Sequence, residues 1–325
     1  VERSTGRVLT EPLYRDRIIN LIYSVGREKL PPLFNALTGA KMSALLGIVN
    51  FDVPLNGSSK RFVLERGETL DDCLDPMESL TTARKVFERK IRYWDCRPMP
   101  DDERAVVSPA DSKVLVGSLK ETSLLFLKEK FFSFDELLGC DKSEWLSTFS
   151  GGDYAILRLT PEKYHYNHTP VAGTVVDFYE IDGAYHSCNP SAVVALVTPY
   201  SKNKRVVTII DTDVPGGAGI GMVAMIEITA MMIGDVVQAY SEHEYDDPRP
   251  VIPGMFLKKG APKSLYRPGS STDVLLFQEG RVSFADDIVY NLHRGDVQSR
   301  FSAGFGRPIV ETDVRVRSLL ALPIL

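Results

Sequence analysis

Two of the five histidines, His165 and His168, stand three residues apart in the segment KYHYNHTP, residues 163–170. Histidine exchanges a proton near neutral pH more readily than any other side chain, so the pair offers a base or an acid. It is also half of a metal site. No third ligand cluster with suitable spacing accompanies it and no Cys-x-x-Cys occurs, so no metal is expected. Two ordinary surface or core histidines fit the same pattern. A turn aspartate, Asp111, lies in SPADSKV ahead of an apolar run, and Gly269-Ser270-Ser271-Thr272 precedes another. A Gly-Ser pair is usually just a tight turn. The Gly-x-Ser-x-Gly of a nucleophile elbow is absent here. Together, a serine, a histidine and an aspartate in separate loops can form a nucleophilic set, in which the imidazole takes the hydroxyl proton and the carboxylate orients it. Spacing alone does not bring them together.

The elements that must position these residues change character along the chain. Residues 12–52 carry apolar residues at helical spacing, with Pro31 and Pro32 breaking the run. Arg15, Arg17, Arg27, Lys29 and Lys41 lie between the apolar positions. This fits an amphipathic helix pair packed on the body, or an interfacial helix touching anionic lipid. A further helix is expected over residues 78–92. Beyond a turn-rich stretch the apolar segments become short and β-branched. Strands are expected at 114–116, 155–159, 171–178, 193–197, 205–211 and 274–277. Residues 223–232 suit a strand or a buried helix equally. The expectation is therefore an α+β chain: a helical N-terminal region, residues 1–104, followed by a β-rich domain, residues 105–325. The VETDVRVRSLL stretch near the end suits a strand pairing with the N-terminal part, or a dimer contact.

Composition narrows the class. The chain has 325 residues, with 44% hydrophobic and 25% charged, near the averages of globular proteins. A net charge of -5 gives no global basic footprint, so no nucleic-acid partner is expected. The four cysteines are widely and irregularly spaced, which suits reduced thiols in a cytoplasmic protein. No apolar run is long enough to span a bilayer as a helix, and residues 1–12 lack the apolar core of a signal peptide.

Several segments, in order, resemble one known family. FLKKGAPKSLYRPGSSTDVLLF, residues 256–277, resembles the C-terminal signature of the phosphatidylserine decarboxylases, in which a Gly-Ser bond is cut to make a catalytic pyruvoyl group. KYHYNHTPVAGTV, from 163, looks like their Tyr-His-x-x-His-x-Pro-Val-x-Gly motif. VVSPADSKV is similar to their Pro-Ala-Asp-Gly motif, with Ser112 in place of the glycine. FFSFDELLG, SCNPSAV, RVVTIIDTD and KVFERKIRYWDCRPMP match further family segments, and the resemblance spans about residues 85–277.

The resemblance implies a β-rich pyruvoyl decarboxylase domain that cuts itself near 269/270. The serine hydroxyl attacks the preceding carbonyl and converts amide to ester. Removal of the serine alpha proton then expels the N-terminal fragment as a carboxylate, and hydrolysis leaves the pyruvoyl group and ammonia. By this resemblance His168 is the base, Asp111 orients it, and His165 protonates the substrate carbon or positions its carboxylate. Gly269 gives the unhindered backbone the cut needs. Ser270 follows Gly269 and is the favoured pyruvoyl precursor. Register to Phe277 points instead to Ser271. Asp273 departs from the apolar residue usual in relatives.

The implied substrate is phosphatidylserine or a related amino acid, and the implied product phosphatidylethanolamine. The implied setting is an anionic membrane surface on the inner face of the cell membrane. The chain would stay associated with its own cleaved C-terminal fragment, as a homodimer. Lys258, Lys259, Lys263 and Arg267 could contact lipid phosphate. The alternatives are a decarboxylase of a soluble amino acid, a non-catalytic binding module keeping the fold, and a Ser-His-Asp hydrolase.

Overall fold

The β-branched runs of the sequence become strands because alternating or continuous apolar side chains bury well on a pleated surface. In a computed structural model the described residues are 1–11, 19, 22–23, 29–39, 41–42, 45, 51–52, 70–120, 131–196, 198–231, 235–269 and 271–324. Their strands, in chain order, are β1 (Val106–Val107), β2 (Ser112–Ser118), β3 (Asp153–Leu159), β4 (Tyr166–His168), β5 (Gly173–Ile181), β6 (Arg205–Asp211) and β7 (Met222–Thr229). They continue with β8 (Val236–Gln238), β9 (Phe256–Leu257), β10 (Pro262–Tyr266), β11 (Ser271–Phe277), β12 (Val282–Phe284), β13 (Thr312–Val314) and β14 (Leu319–Pro323). The chain is α+β.

The main sheet has eight strands in the order β13-β2-β3-β11-β7-β6-β5-β9, paired antiparallel throughout. β11 lies inside it, buried along its whole length and paired with β3 on one side and β7 on the other. Trp145, Phe149, Val193 and Phe301 from short helices join the large apolar core with residues of this sheet. A small sheet, β4-β10-β8, covers part of the main sheet. Between them lie Leu159 and Val206 of the large sheet, Tyr266 and Val236 of the small one, and Phe87.

Three expectations need correcting or settling. The apolar run at 193–197 predicts a strand, but Pro190–Ala195 is a helix. Asn189 caps it by accepting from the Ser191 N–H, and Pro190 supplies a first-turn φ, so local capping outweighs β-branched composition. The single helix expected over 78–92 is a 3-10 turn at Met77–Ser79 and a helix at Ala83–Phe87 capped by Thr82. A further short helix, Tyr93–Cys96, follows. The ambiguous 223–232 segment is a strand over Met222–Thr229.

Most of the expected helical pattern at 12–52 lies outside the described residues. Within it, Pro31–Leu37 is a helix. Ile19, Tyr23 and Phe34 pack with Ala192, Leu196 and Met231 of the body, which is the packed reading for those residues. The chain's final segment pairs with earlier ones. β13 pairs with β2, β14 pairs with β1, and Asp313 bridges to Glu2. No helix among the described residues is long and apolar enough to cross a membrane.

Candidate active site

Asp111 ends the turn that leads into β2. Its side chain is buried, and it is held by charge. Arg97 Nε donates to Oδ1 at 3.1 Å and Nη2 donates to Oδ2 at 2.8 Å, while the Val316 N–H donates to Oδ1 at 2.7 Å. Burial opposes the ionised form, but the Arg97 guanidinium and its hydrogen bonds outweigh it and hold Asp111 down at about 2. Asp111 is therefore a carboxylate at any ordinary pH.

His168 closes β4, beside the Asp111 turn, and its N–H donates to the Pro109 carbonyl at 2.7 Å. Its Nδ1 meets the Gly260 carbonyl at 2.8 Å, which assigns the proton of the neutral ring to Nδ1. The lone pair on Nε2 then faces the Tyr164 hydroxyl at 3.0 Å, and that hydroxyl is 2.8 Å from the Tyr245 hydroxyl. Tyr245 in turn donates to the Ile91 carbonyl at 2.9 Å. Burial, reinforced by nearby Arg317 and opposed by the Gly260 hydrogen bond, lowers His168 to about 3. The imidazole is an unprotonated base. Asp111 and His168 occupy one loop cluster, but among the described residues no hydrogen bond joins them. The Gly260 carbonyl, not Asp111, orients the ring.

His165 stacks on Phe87 with ring centroids 3.5 Å apart, and its Nδ1 meets the Lys163 carbonyl at 2.7 Å. Its Nε2 is buried with no hydrogen-bond partner among the described residues. Burial, aided by nearby Arg89, pushes this ring well below the ordinary histidine value, so it too is neutral.

The glycine-serine junction leads from β10 into β11. Tyr266 N–H donates to the His165 carbonyl at 3.1 Å, which ties the approach to the histidine segment. Gly269 has φ 150°, a backbone region that side chains with Cβ avoid. Ser270 lies outside the described residues. Ser271 opens β11 in register with Leu159 and Thr229, and its Oγ is buried without a partner among the described residues.

The four cations expected to form a phosphate-binding strip are engaged elsewhere. Lys263 is fully buried, its ammonium 2.6 Å from Glu227 Oε2. Lys258 pairs with Glu242, Lys259 donates to the Asp102 carbonyl, and Arg267 pairs with Glu88. Sequence reasoning assigned no role to Arg97, Tyr164, Tyr245 or Glu227, and it placed Lys263 on the surface. Arg97 and Tyr164 lie inside segments that carried the family resemblance. Tyr245 had no local signal, because it acts on His168 only through Tyr164, from which it is 81 residues away. Among the described residues no group of three His, Cys, Asp or Glu could hold a metal. All four cysteines are free thiols, with Cys73 and Cys188 buried.

The chain is similar to known proteins of one family. The family model described as phosphatidylserine decarboxylase matches residues 83–301. A protein named phosphatidylserine decarboxylase proenzyme from Chlamydia trachomatis is 30% identical over 314 residues, 94% of this chain and 96% of its own. Proteins of the same name from Ruminiclostridium cellulolyticum and Fusobacterium nucleatum are each 28% identical, over 90% and 94% of this chain and 91% and 95% of their own.

Proposed function

Because the chain belongs to the phosphatidylserine decarboxylase family, we propose that it is a self-splitting carboxy-lyase that turns phosphatidylserine into phosphatidylethanolamine with a pyruvoyl group made from its own serine. We assign catalysis to residues 105–325, split near 269/270, against which Ile19, Tyr23, Phe34, Phe51 and Phe87 of residues 1–104 pack. The observation that carries this reading is the junction itself. A glycine in a backbone region that side chains with Cβ avoid comes shortly before the Ser271 hydroxyl, buried and without a partner among the described residues, on a segment tied to two neutral imidazoles.

The residues present suit a pyruvoyl group. Gly269 and Ser271 are buried, and the orphaned Ser271 Oγ and His165 Nε2 supply polar atoms that no other group among the described residues uses. That group supplies a carbonyl that condenses with the substrate amine and takes up the electron pair left by departing carbon dioxide. His168 is the base for maturation. Its Nδ1–H stays on the Gly260 carbonyl, and its Nε2 becomes free when Tyr164 turns its proton toward Tyr245. The fixed charge of Asp111 favours the imidazolium that results. His165 Nε2 carries a proton taken from solvent to the substrate carbon, where it replaces the departing carbon dioxide.

The mass of the denatured protein tests the reading. Cleavage after Gly269 leaves 56 of the 325 residues as a separate chain, and a single intact mass overturns it. His168→Ala should stay whole or split very slowly. Ser270 is our assigned pyruvoyl precursor. The orphaned hydroxyl of Ser271 favours a second reading, and Ser270→Ala and Ser271→Ala, made separately, decide between them.

The occupied cations favour a second substrate reading, a soluble amino acid, which a lipid-free assay separates from the first. For the lipid reading we propose action at an anionic membrane surface on the inner face, as a homodimer. Exposed Val176, Ile252 and Phe256 around β9 support apolar contact there. Vesicle co-sedimentation and sedimentation velocity test those two points.

A further inference from the structure

The layer between the main sheet and the small sheet is polar next to the junction. Asp273 follows the junction on β11 and is directly opposite Glu227 on β7. Both side chains are fully buried. One ammonium, that of Lys263 on β10, lies near the two carboxyls. It donates to Glu227 Oε2 at 2.6 Å and to Gln238 Oε1, on β8, at 3.0 Å. Glu227 also accepts from Ser264 on β10, and from Asn167 Nδ2 on β4 at 3.1 Å. Glu227 accepts from Gln238 Nε2 at 3.2 Å as well, and so holds that cation and three further donors. Among the described residues Asp273 has a single hydrogen-bond partner, the Tyr266 hydroxyl at 2.7 Å from Oδ1, and its Oδ2 has none. Leu157 on β3 is its opposite neighbour on the other side. A second negative charge in this sealed space has nothing among the described residues to balance it, so Asp273 is a neutral carboxylic acid. Burial and the facing Glu227 push it in that direction.

The Tyr266 hydroxyl makes two further contacts, with the Thr272 carbonyl at 3.1 Å and the Ile228 N–H at 3.1 Å. It has one proton to give. When Asp273 is neutral, the acid donates to the phenol oxygen and the phenol proton is free for the Thr272 carbonyl. When Asp273 is ionised, it takes that proton and the Thr272 carbonyl loses it.

We propose that Asp273 and Tyr266 are positioning residues for self-splitting: a neutral Asp273 directs the Tyr266 proton to the Thr272 carbonyl and so fixes the backbone immediately after the serines. This rests on the self-splitting reading. The latch loosens as pH rises through the raised value of Asp273. Neither imidazole titrates in the same direction there, since both are already neutral.

The test is the splitting rate of freshly translated full-length chain, followed on denaturing gels from about pH 6 to about pH 10. The wild-type rate should fall at least about ten-fold toward the alkaline end. Asp273→Asn, which keeps a donor to the phenol and cannot ionise, should split at a rate that does not fall over that range. Tyr266→Phe should be slow at every pH. A wild-type chain that splits with the same pH profile as Asp273→Asn overturns the latch alone. A wild-type chain that never splits overturns the underlying reading and the latch with it. The melting temperature of an uncleavable chain carrying Ser270→Ala and Ser271→Ala gives a readout independent of cleavage. It should fall with rising pH more steeply while Asp273 is intact than after the further change Asp273→Asn, and parallel curves count against the proposal.

Discussion

Asp111 and Asp273 are both buried aspartates, 2% and 0% exposed, and they carry opposite charge states. Asp111 faces a two-point guanidinium and a backbone N–H, and is held at about 2. Asp273 faces another carboxylate that already holds the nearby ammonium, and is pushed well above the ordinary value. Burial costs both groups the same kind of solvation. The difference lies in what each meets once buried. One region thus keeps a permanent negative charge near His168, and the other keeps a proton near the Gly269–Ser271 segment.

The comparison can be broken at Arg97. Arg97→Met strips Asp111 of its cation and should make it behave like Asp273. The expected loss is about 3–5 kcal/mol, because the Asp111 carboxyl stays buried without the cation that balanced it, measured from the urea midpoint. The same change should erase the acid-side loss of stability that Asp111 causes and replace it with a decline as pH rises above about 4.

A smaller effect sharpens the contrast. Asp111 lies below its ordinary value, so it contributes stability above about pH 4 that is lost as pH falls through about 2. From that shift the contribution is about 2 kcal/mol, and Asp111→Asn should erase this acid-side slope. Asp273 works with the opposite sign: its contribution is present at low pH and declines as pH rises toward its raised value. The two slopes should therefore lie on opposite sides of about pH 4, each missing from the melting curve of its own Asn variant. The smallest effect is the control. Lys120 and Glu279 form a pair in which each side chain is 54% exposed. Lys120→Ala should change stability by less than about 1 kcal/mol, since solvent screens such pairs.

The parts of the fold that could be read in advance are those whose cause is local. Arg205–Asp211 is a strand over the range its apolar run marks, and Asp153–Leu159 and Ser271–Phe277 contain the expected strands. The apolar run at 193–197 misled because Asn189 and Pro190, which start the helix, lie before it. β10, Pro-Lys-Ser-Leu-Tyr, gave no signal. Its polar residues are inward-facing and become intelligible only against Glu227, 36 residues away from Lys263. The site follows the same rule. Asp111, His165, His168 and Gly269 sit in compact segments with recognisable text. Their electrostatic partners arrive from elsewhere: Arg97 on Asp111, Tyr245 through Tyr164, and Arg317 near His168. Asp273 stood out in the sequence only as a misfit. Its carboxyl neighbour on β7 supplies the reason it is uncharged.

The interior position of β11 has a consequence for the history of the molecule. A cut at 269/270 falls one residue before a strand gripped by ladders on both sides, and the same fragment contributes β13 at one end of that sheet. A piece released by that cut would be threaded through the middle of the structure it came from. Once unfolded, the two chains would have to find each other and insert a central strand between two preformed neighbours, a bimolecular search that the intact chain never faced. If the chain is cut there, assembly becomes a one-way event: it folds as a single thread, is split in place, and afterwards has no easy route back to the same state.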